Sequence, residues 1–272
     1  MVDESERIEI EEGRVLGRAG QRSLHYDVYR APPSDALPPP VVLVHGGGWR
    51  RGERAAMRGY GIRLAKRGYT CLSIDYRLTP EAPWPAQIHD VKTAIRFVRA
   101  SADGLGVDGE RVALVGSSAG AHLALLAAGT PGLESFEGDG EFSGVPSEVV
   151  AVVGIYPPTA FRVGDAPVSG SVPAGALMGP RATEEAAREA APLSHVTKAF
   201  PPTLLFHGTA DQIVPPSSSL RMYEALVSAG VPVGLHMYPE QPHGFARRPD
   251  YQRLVCAEIA TFLDHYVARG GE

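Results

Sequence analysis

Arg111-Val112-Ala113-Leu114-Val115-Gly116-Ser117-Ser118-Ala119-Gly120-Ala121-His122-Leu123-Ala124-Leu125-Leu126-Ala127-Ala128 is the stretch that decides the fold. Its first part, Arg111–Gly116, is a short apolar run of the kind found in strands buried on both faces. Its last part, Ala119–Ala128, is apolar around its whole circumference, so a helix there must lie in the interior. Between them, Gly116-Ser117-Ser118-Ala119-Gly120 fits the pattern G-x-S-x-G. A serine in a sharp strand-to-helix turn is held in a strained conformation that exposes its hydroxyl. The helix that follows brings its positive dipole end to developing negative charge. The pentapeptide alone arises by chance in Gly- and Ser-rich chains, and the strand and helix around it are what give it weight.

Outward from this unit the same alternation recurs, an apolar strand and then an amphipathic helix, which predicts a mostly parallel sheet with helices on both faces. Strands are expected at Val41–His45, Tyr69–Asp75, Val149–Tyr156, Thr203–Gly208 and Val233–Tyr238. Ser23–Arg30 alternates and reads as a half-exposed antiparallel edge strand. After Pro85, the spacing of Ile88, Val91, Ile95 and Val98 predicts a helix. Ser217 is placed to cap a helix that would bury Leu220, Tyr223 and Val227 and close at Gly230. A final helix carries Val255, Ile259, Phe262, Leu263 and Tyr266 on one face. Gly129–Ser147 reads as a surface connection. Pro157–Val196 is a longer excursion, with a short helix at Thr183–Ala190, and such insertions serve as lids or binding loops. The whole chain, 1–272, is read as one α/β domain with 157–196 inserted in it.

Composition narrows the function classes. The 272 residues carry 26 basic and 31 acidic side chains, a formal charge of −5, and are 44% hydrophobic. That balance gives no basic surface for nucleic acid. Asp3, Glu4, Glu6, Glu9, Glu11 and Glu12 make the start acidic, the reverse of a secretion signal, and no apolar run reaches the roughly 20 residues of a membrane span. Cys71 and Cys256, in an expected strand and helix, read as buried thiols, and two cysteines are too few for a disulfide framework or a Cys-rich zinc site. The cytoplasm is the expected compartment. No metal-ligand spacing and no cofactor fingerprint are present. Edge strands and the terminal helix leave a homodimer open.

The chemistry-bearing residues lie where strands end. His45-Gly46-Gly47-Gly48-Trp49 closes a strand with unshielded amides that can form an oxyanion hole; the Lys-Ser/Thr of a phosphate loop does not follow. A serine nucleophile needs a base, and the base a carboxylate. Of nine histidines, His25, His207 and His236 fall in strands, His89, His122 and His265 in helices, and His195 in the excursion. His45 belongs to the glycine motif. Only His243 sits in a loop after the last core strand, where open α/β sheets build their sites. Asp211 follows the strand before it, ahead of Asp139 and Asp165 in irregular stretches. The order Ser118, Asp211, His243 is one of the known orders for this triad.

With these motifs in place the chain resembles the α/β-hydrolase superfamily, and within it the HGGG-type carboxylesterases akin to hormone-sensitive lipase and to small bacterial feruloyl and acetyl esterases. The resemblance runs from about Leu24 to the C-terminus through His45–Trp49, Asp75–Glu81, Gly116–Gly120, His207–Val214 and Pro242–Phe245. It implies a sheet of about eight strands and hydrolysis of short to medium acyl esters through Ser118, His243 and Asp211. It also implies oxyanion donors at Gly47, Gly48 and Ala119, and a small-molecule ester as the partner. Trp49 and Tyr156 are candidate pocket residues. Asp75 and Arg77 are expected to fix loops, and His122 to pack beneath the glycine turn. The stretch ahead of His45 looks short for a large N-terminal cap, so lid and substrate size stay open. An arylformamidase or small amide hydrolase, a transacylase and a catalytically silent receptor are the rival readings.

Overall fold

The computed structural model describes residues 8–79, 81–164 and 168–268. Asp3, Glu4, Glu6, Asp165 and Pro80 of the Asp75–Glu81 motif lie outside the described residues. The strands are β1 (Glu9–Ala19), β2 (Arg22–Arg30), β3 (Pro40–Val44), β4 (Thr70–Ile74), β5 (Ala113–Ser117), β6 (Ala151–Ile155), β7 (Ala160–Arg162), β8 (Ser171–Pro173), β9 (Thr203–Gly208) and β10 (Val233–Tyr238). The helices are α1 (Arg58–Ala65), α2 (Ala86–Ala100), α3 (Ala102–Leu105), α4 (Ala119–Gly129), α5 (Glu134–Glu137), α6 (Gly175–Met178), α7 (Glu184–Glu189), α8 (Ser217–Ser228) and α9 (Pro249–Leu263).

Eight strands form one sheet in the order β1-β2-β4-β3-β5-β6-β9-β10. β1 and β2, and β2 and β4, pair antiparallel; the remaining neighbours are parallel. The central strands alternate between two apolar layers, because successive side chains point to opposite faces. Val42, Val44, Leu114 and Leu205 face one layer with α2, α4 and α8, and Val41, Leu43, Val115 and Phe206 face the other with α1 and α9. Both faces are therefore covered, as the apolar runs required. Helix α4 packs against β5, β6, β3 and α2. Leu123, Leu125 and Leu126 on it are fully buried, each worth about 1.5–3 kcal/mol over exposure.

The structure corrects four expectations. β2 is not an edge strand: β1 pairs with its outer side, and most of it is buried. In α8, Leu220 and Val227 are exposed, while Ser218, Ser219, Met222 and Leu226 face inward. Those serines are satisfied inside, Ser218 by Thr159 and Ser219 by His207. Ser217 is the first residue of α8, not its cap, and Pro216 precedes the helix without a side-chain cap bond. Gly129–Ser147 is also more than a surface connection. Phe136 is buried, and Glu137 pairs with Lys92 and Arg96 of α2, each at 2.7 Å.

The excursion after β6 packs inward. Phe161, Val172, Leu177, Met178 and Ala187 join the layer that holds α4. Its helix α7 falls within the expected Thr183–Ala190, and Thr183 Oγ1 caps it by accepting from Ala186 N at 3.1 Å. Among the described residues no helix is long and apolar enough to cross a membrane.

Candidate active site

The parallel register brings the carboxyl ends of β3, β5, β9 and β10 to one rim. β5 ends at Ser117 and α4 begins at Ala119, leaving Ser118 alone in the turn at φ +54°, ψ −118°. A non-glycine residue in such a conformation costs about 1–3 kcal/mol, so its surroundings must hold it. Ser118 N donates to Ile155 O at 2.8 Å, and Ser118 O accepts from His122 N at 3.0 Å. A Cβ on Gly120 would stand 2.2 Å from Val44 O and 2.4 Å from His45 O. Only glycine lets α4 start this close to the end of β3.

Ser118 Oγ and His243 Nε2 are 2.9 Å apart, and His243 Nδ1 meets Asp211 Oδ2 at 2.6 Å. The other carboxylate oxygen of Asp211 accepts from Ile213 N and Val214 N, both at 2.9 Å. His207, four residues before Asp211 on β9, brings Nε2 to 3.2 Å from Asp211 Oδ2. Burial alone would raise the Asp211 carboxyl. The hydrogen bonds from His207, His243 and Val214 N–H outweigh it and hold the group well below the usual carboxylate range. Asp211 is therefore a fixed anion behind the imidazole. Tyr156, at φ +43°, lays its ring 4.7 Å from the His243 ring and accepts from Ser117 Oγ at 3.1 Å.

The glycine turn faces the same space. Gly47, Gly48 and Trp49 take φ +128°, +62° and +59°, and Gly47 O accepts from Arg50 N and Arg51 N. At Gly46 a Cβ would come within 3.2 Å of Ser118 Cβ, so the turn runs against the serine. Among the described residues no acceptor takes the N–H of Gly47, Gly48 or Ala119. Gly47, Gly48, Ser118, Tyr156 and His243 line one cavity of about 600 Å³. A smaller cavity of about 320 Å³, lined by Arg18, Arg77, Asp90 and Glu141, shares no residue with it.

Trp49 is not among the residues lining the larger cavity; its positive φ turns the indole behind the turn. There Nε1 donates to His122 Nδ1 at 3.1 Å, and His122 Nε2 donates to Ala190 O at 2.8 Å. His122 thus packs beneath the glycine turn as a neutral ring, burial having pushed it down to about 4. Asp75 and Arg77 fix loops as expected. Asp75 accepts from Arg54 N at 2.8 Å and Arg54 Nη1 at 2.7 Å, while Arg77 grips Asp90 with Nε and Nη2. Sequence reasoning missed His207, set aside as a strand residue, and Arg50, Arg51 and Arg247, which line the cavity. The offset of four between His207 and Asp211 was the available signal. Among the described residues no cluster of His, Cys, Asp and Glu could hold a metal ion.

Comparison with known proteins follows the same lines. The BD-FAE family profile matches residues 26–226. Esterase LipC of Mycobacterium tuberculosis is 37% identical over 80% of this chain and 56% of its own length. The chain spans about half the length of this and other sequence relatives it matches. A truncated carbohydrate esterase from gut microbiota superposes with TM-score 0.78 at 28% identity, covering 95% of this chain and 99% of that one. Thermogutta terrifontis esterase 2 phosphonylated by sarin also gives TM-score 0.78 at 28% identity, covering 93% and 94%. The chain belongs to the BD-FAE family, on the α/β-hydrolase fold.

Proposed function

We propose that the protein is a serine carboxylesterase acting on short to medium acyl esters. The observation that carries this reading is the unbroken relay from Ser118 Oγ through His243 to Asp211, at 2.9 and 2.6 Å, in a cavity that also presents the glycine turn. The volume, about 600 Å³, is that of a small-molecule site. Its kinship with esterases favours the ester over the amide reading, and the complete relay speaks against a silent receptor.

In this mechanism His243 takes the Ser118 proton as the hydroxyl attacks the ester carbonyl. Asp211 holds the proton on Nδ1, so Nε2 is free to accept, and it stabilises the imidazolium that forms. The N–H groups of Gly47, Gly48 and Ala119 meet the tetrahedral oxyanion, each such donor being worth about 3 kcal/mol. His243 then protonates the departing alkoxide, leaving an acyl-Ser118 ester. Water, deprotonated by His243, releases the acid and restores the hydroxyl. The excursion contributes Ala176 to the cavity, and its packing on the α4 layer supports a fixed binding wall over a swinging lid. Free, buried Cys71 and Cys256 fit a reducing compartment, and the cytoplasm is the proposed location.

The test is hydrolysis of p-nitrophenyl esters from C2 to C12 with Ser118→Ala as the blank. The proposal expects turnover concentrated in the shorter chains and abolished in the variant. Wild-type turnover by Ser118→Ala, or no turnover of any ester by the wild type, would overturn it.

A further inference from the structure

The cavity that holds Ser118 and His243 is one-sided in charge. Arg50 and Arg51, which follow the glycine turn, line it, as does Arg247 of the 3-10 turn Phe245–Arg247 after His243. Among the described residues no Asp or Glu lines it. Elsewhere the arginines near this rim are neutralised: Arg54 by Asp27 and Asp75, Arg77 by Asp90. Among the described residues, Arg50, Arg51 and Arg247 have no carboxylate at salt-bridge distance. Three cations around one mouth repel one another and raise the local concentration of anions. Guanidinium groups suit carboxylate, phosphate and sulfate because their donors match two oxygens at once. Ile213, Ala176 and the Tyr156 ring add apolar surface to the same cavity.

We infer that the substrate is an ester carrying an anionic group, its apolar part against Ile213 and Ala176 and its charge among Arg50, Arg51 and Arg247. This rests on the esterase reading of the same cavity. The reaction is unchanged: the acyl–oxygen bond breaks, water supplies the hydroxyl of the acid, and the anionic group takes no part in bond making. The charge can sit on the acyl side or the alcohol side, and the chemistry of recognition is the same for both.

The experiment measures kcat/KM for two matched pairs. One pair puts the charge on the acyl side, p-nitrophenyl hydrogen succinate against p-nitrophenyl butyrate. The other puts it on the alcohol side, 4-acetoxybenzoate against its methyl ester. At least one anionic-to-neutral ratio should fall as NaCl rises from 20 mM to 1 M, because the screening length shrinks to about 3 Å. In Arg50→Gln, Arg51→Gln and Arg247→Gln that ratio should drop about two- to fivefold each, the range for exposed ion pairs, and about tenfold or more when the three are combined. Lys at each position should restore part of it. Arg253→Gln, an exposed site on α9 with the same change of net charge, should leave the ratio at the wild-type value. Ratios in both pairs that ignore salt and all three arginines, in an enzyme that still turns over the neutral esters, would overturn this inference and leave the esterase reading standing. Failure on every ester would overturn that reading instead.

Discussion

Asp211→Asn isolates the part of the relay that does not touch substrate. Oδ1 of Asp211 accepts two backbone N–H groups, from Ile213 and Val214, both at 2.9 Å. An asparagine must keep its carbonyl there, because turning its amide toward two N–H donors would leave both unpaired at a buried site. The NH2 then occupies the Oδ2 position, 2.6 Å from His243 Nδ1 and 3.2 Å from His207 Nε2. His243 can meet that NH2 only by accepting at Nδ1, which moves its proton to Nε2, facing Ser118. A protonated Nε2 cannot take the serine proton. Loss of the correct tautomer is worth about 10⁴ in kcat for such triads, or about 5.5 kcal/mol of barrier. The second contact adds a cost to the fold. His207 Nε2 donates to Val214 O at 3.0 Å, so the new NH2 faces an N–H and one donor is stranded. That costs about 1–3 kcal/mol of stability. The assay is kcat/KM on p-nitrophenyl acetate at pH 7.5, with thermal unfolding of the same preparation. A variant that keeps more than a tenth of wild-type activity would refute the assignment of Asp211 as the residue that sets the tautomer.

Two further outcomes test how the site is held. His122 is fully buried, its pKa lowered to about 4 from an ordinary 6.5, mainly by desolvation. Between those values the unfolded chain binds a proton that the folded chain refuses, so stability is full above about pH 6.5 and falls as pH drops toward 4. The loss is about 3 kcal/mol over that window, and His122→Gln should remove that component of the pH dependence in denaturant unfolding. If wild type and variant lose stability in parallel between pH 6.5 and 4, His122 is not the group responsible. Gly120→Ala would place a methyl 2.2 Å from Val44 O, forcing α4 away from β3 and separating Ser118 from the glycine turn. Thermal unfolding should drop by several degrees and kcat by about 100-fold or more; a variant matching wild type in both would contradict the close approach.

Much of this arrangement was legible in the chain because the residues that carry it obey local rules. β9 and β10 begin and end where their apolar runs do, and Ser118, Asp211 and His243 each follow such a run. β1 was not legible: register shifts between Glu11 and Arg14, and between Val15 and Gly17, break the two-residue period that marks a strand. Without β1, β2 read as an edge. In α8 the apolar residues pointed to the wrong face, since the buried serines are satisfied by Thr159 and His207, partners distant in sequence. Helix α2 is buried on its polar side too, where Glu137 and Thr130 O, far along the chain, receive Lys92, and Glu137 also receives Arg96. Trp49 was placed in the pocket by its neighbourhood; a positive φ at a bulky residue and a hydrogen bond to His122 turn it away. Such features depend on tertiary partners, which periodicity does not report.

The central claim is that Ser118 is the nucleophile, activated by His243. The most direct measurement is intact-mass and peptide-mapping analysis after exposure to a fluorophosphonate, which forms a stable bond to an activated serine. One adduct should form, on Ser118, with none in Ser118→Ala and a rate reduced by orders of magnitude in His243→Ala. An adduct on Ser117 or elsewhere, or one that persists in Ser118→Ala, would contradict the account.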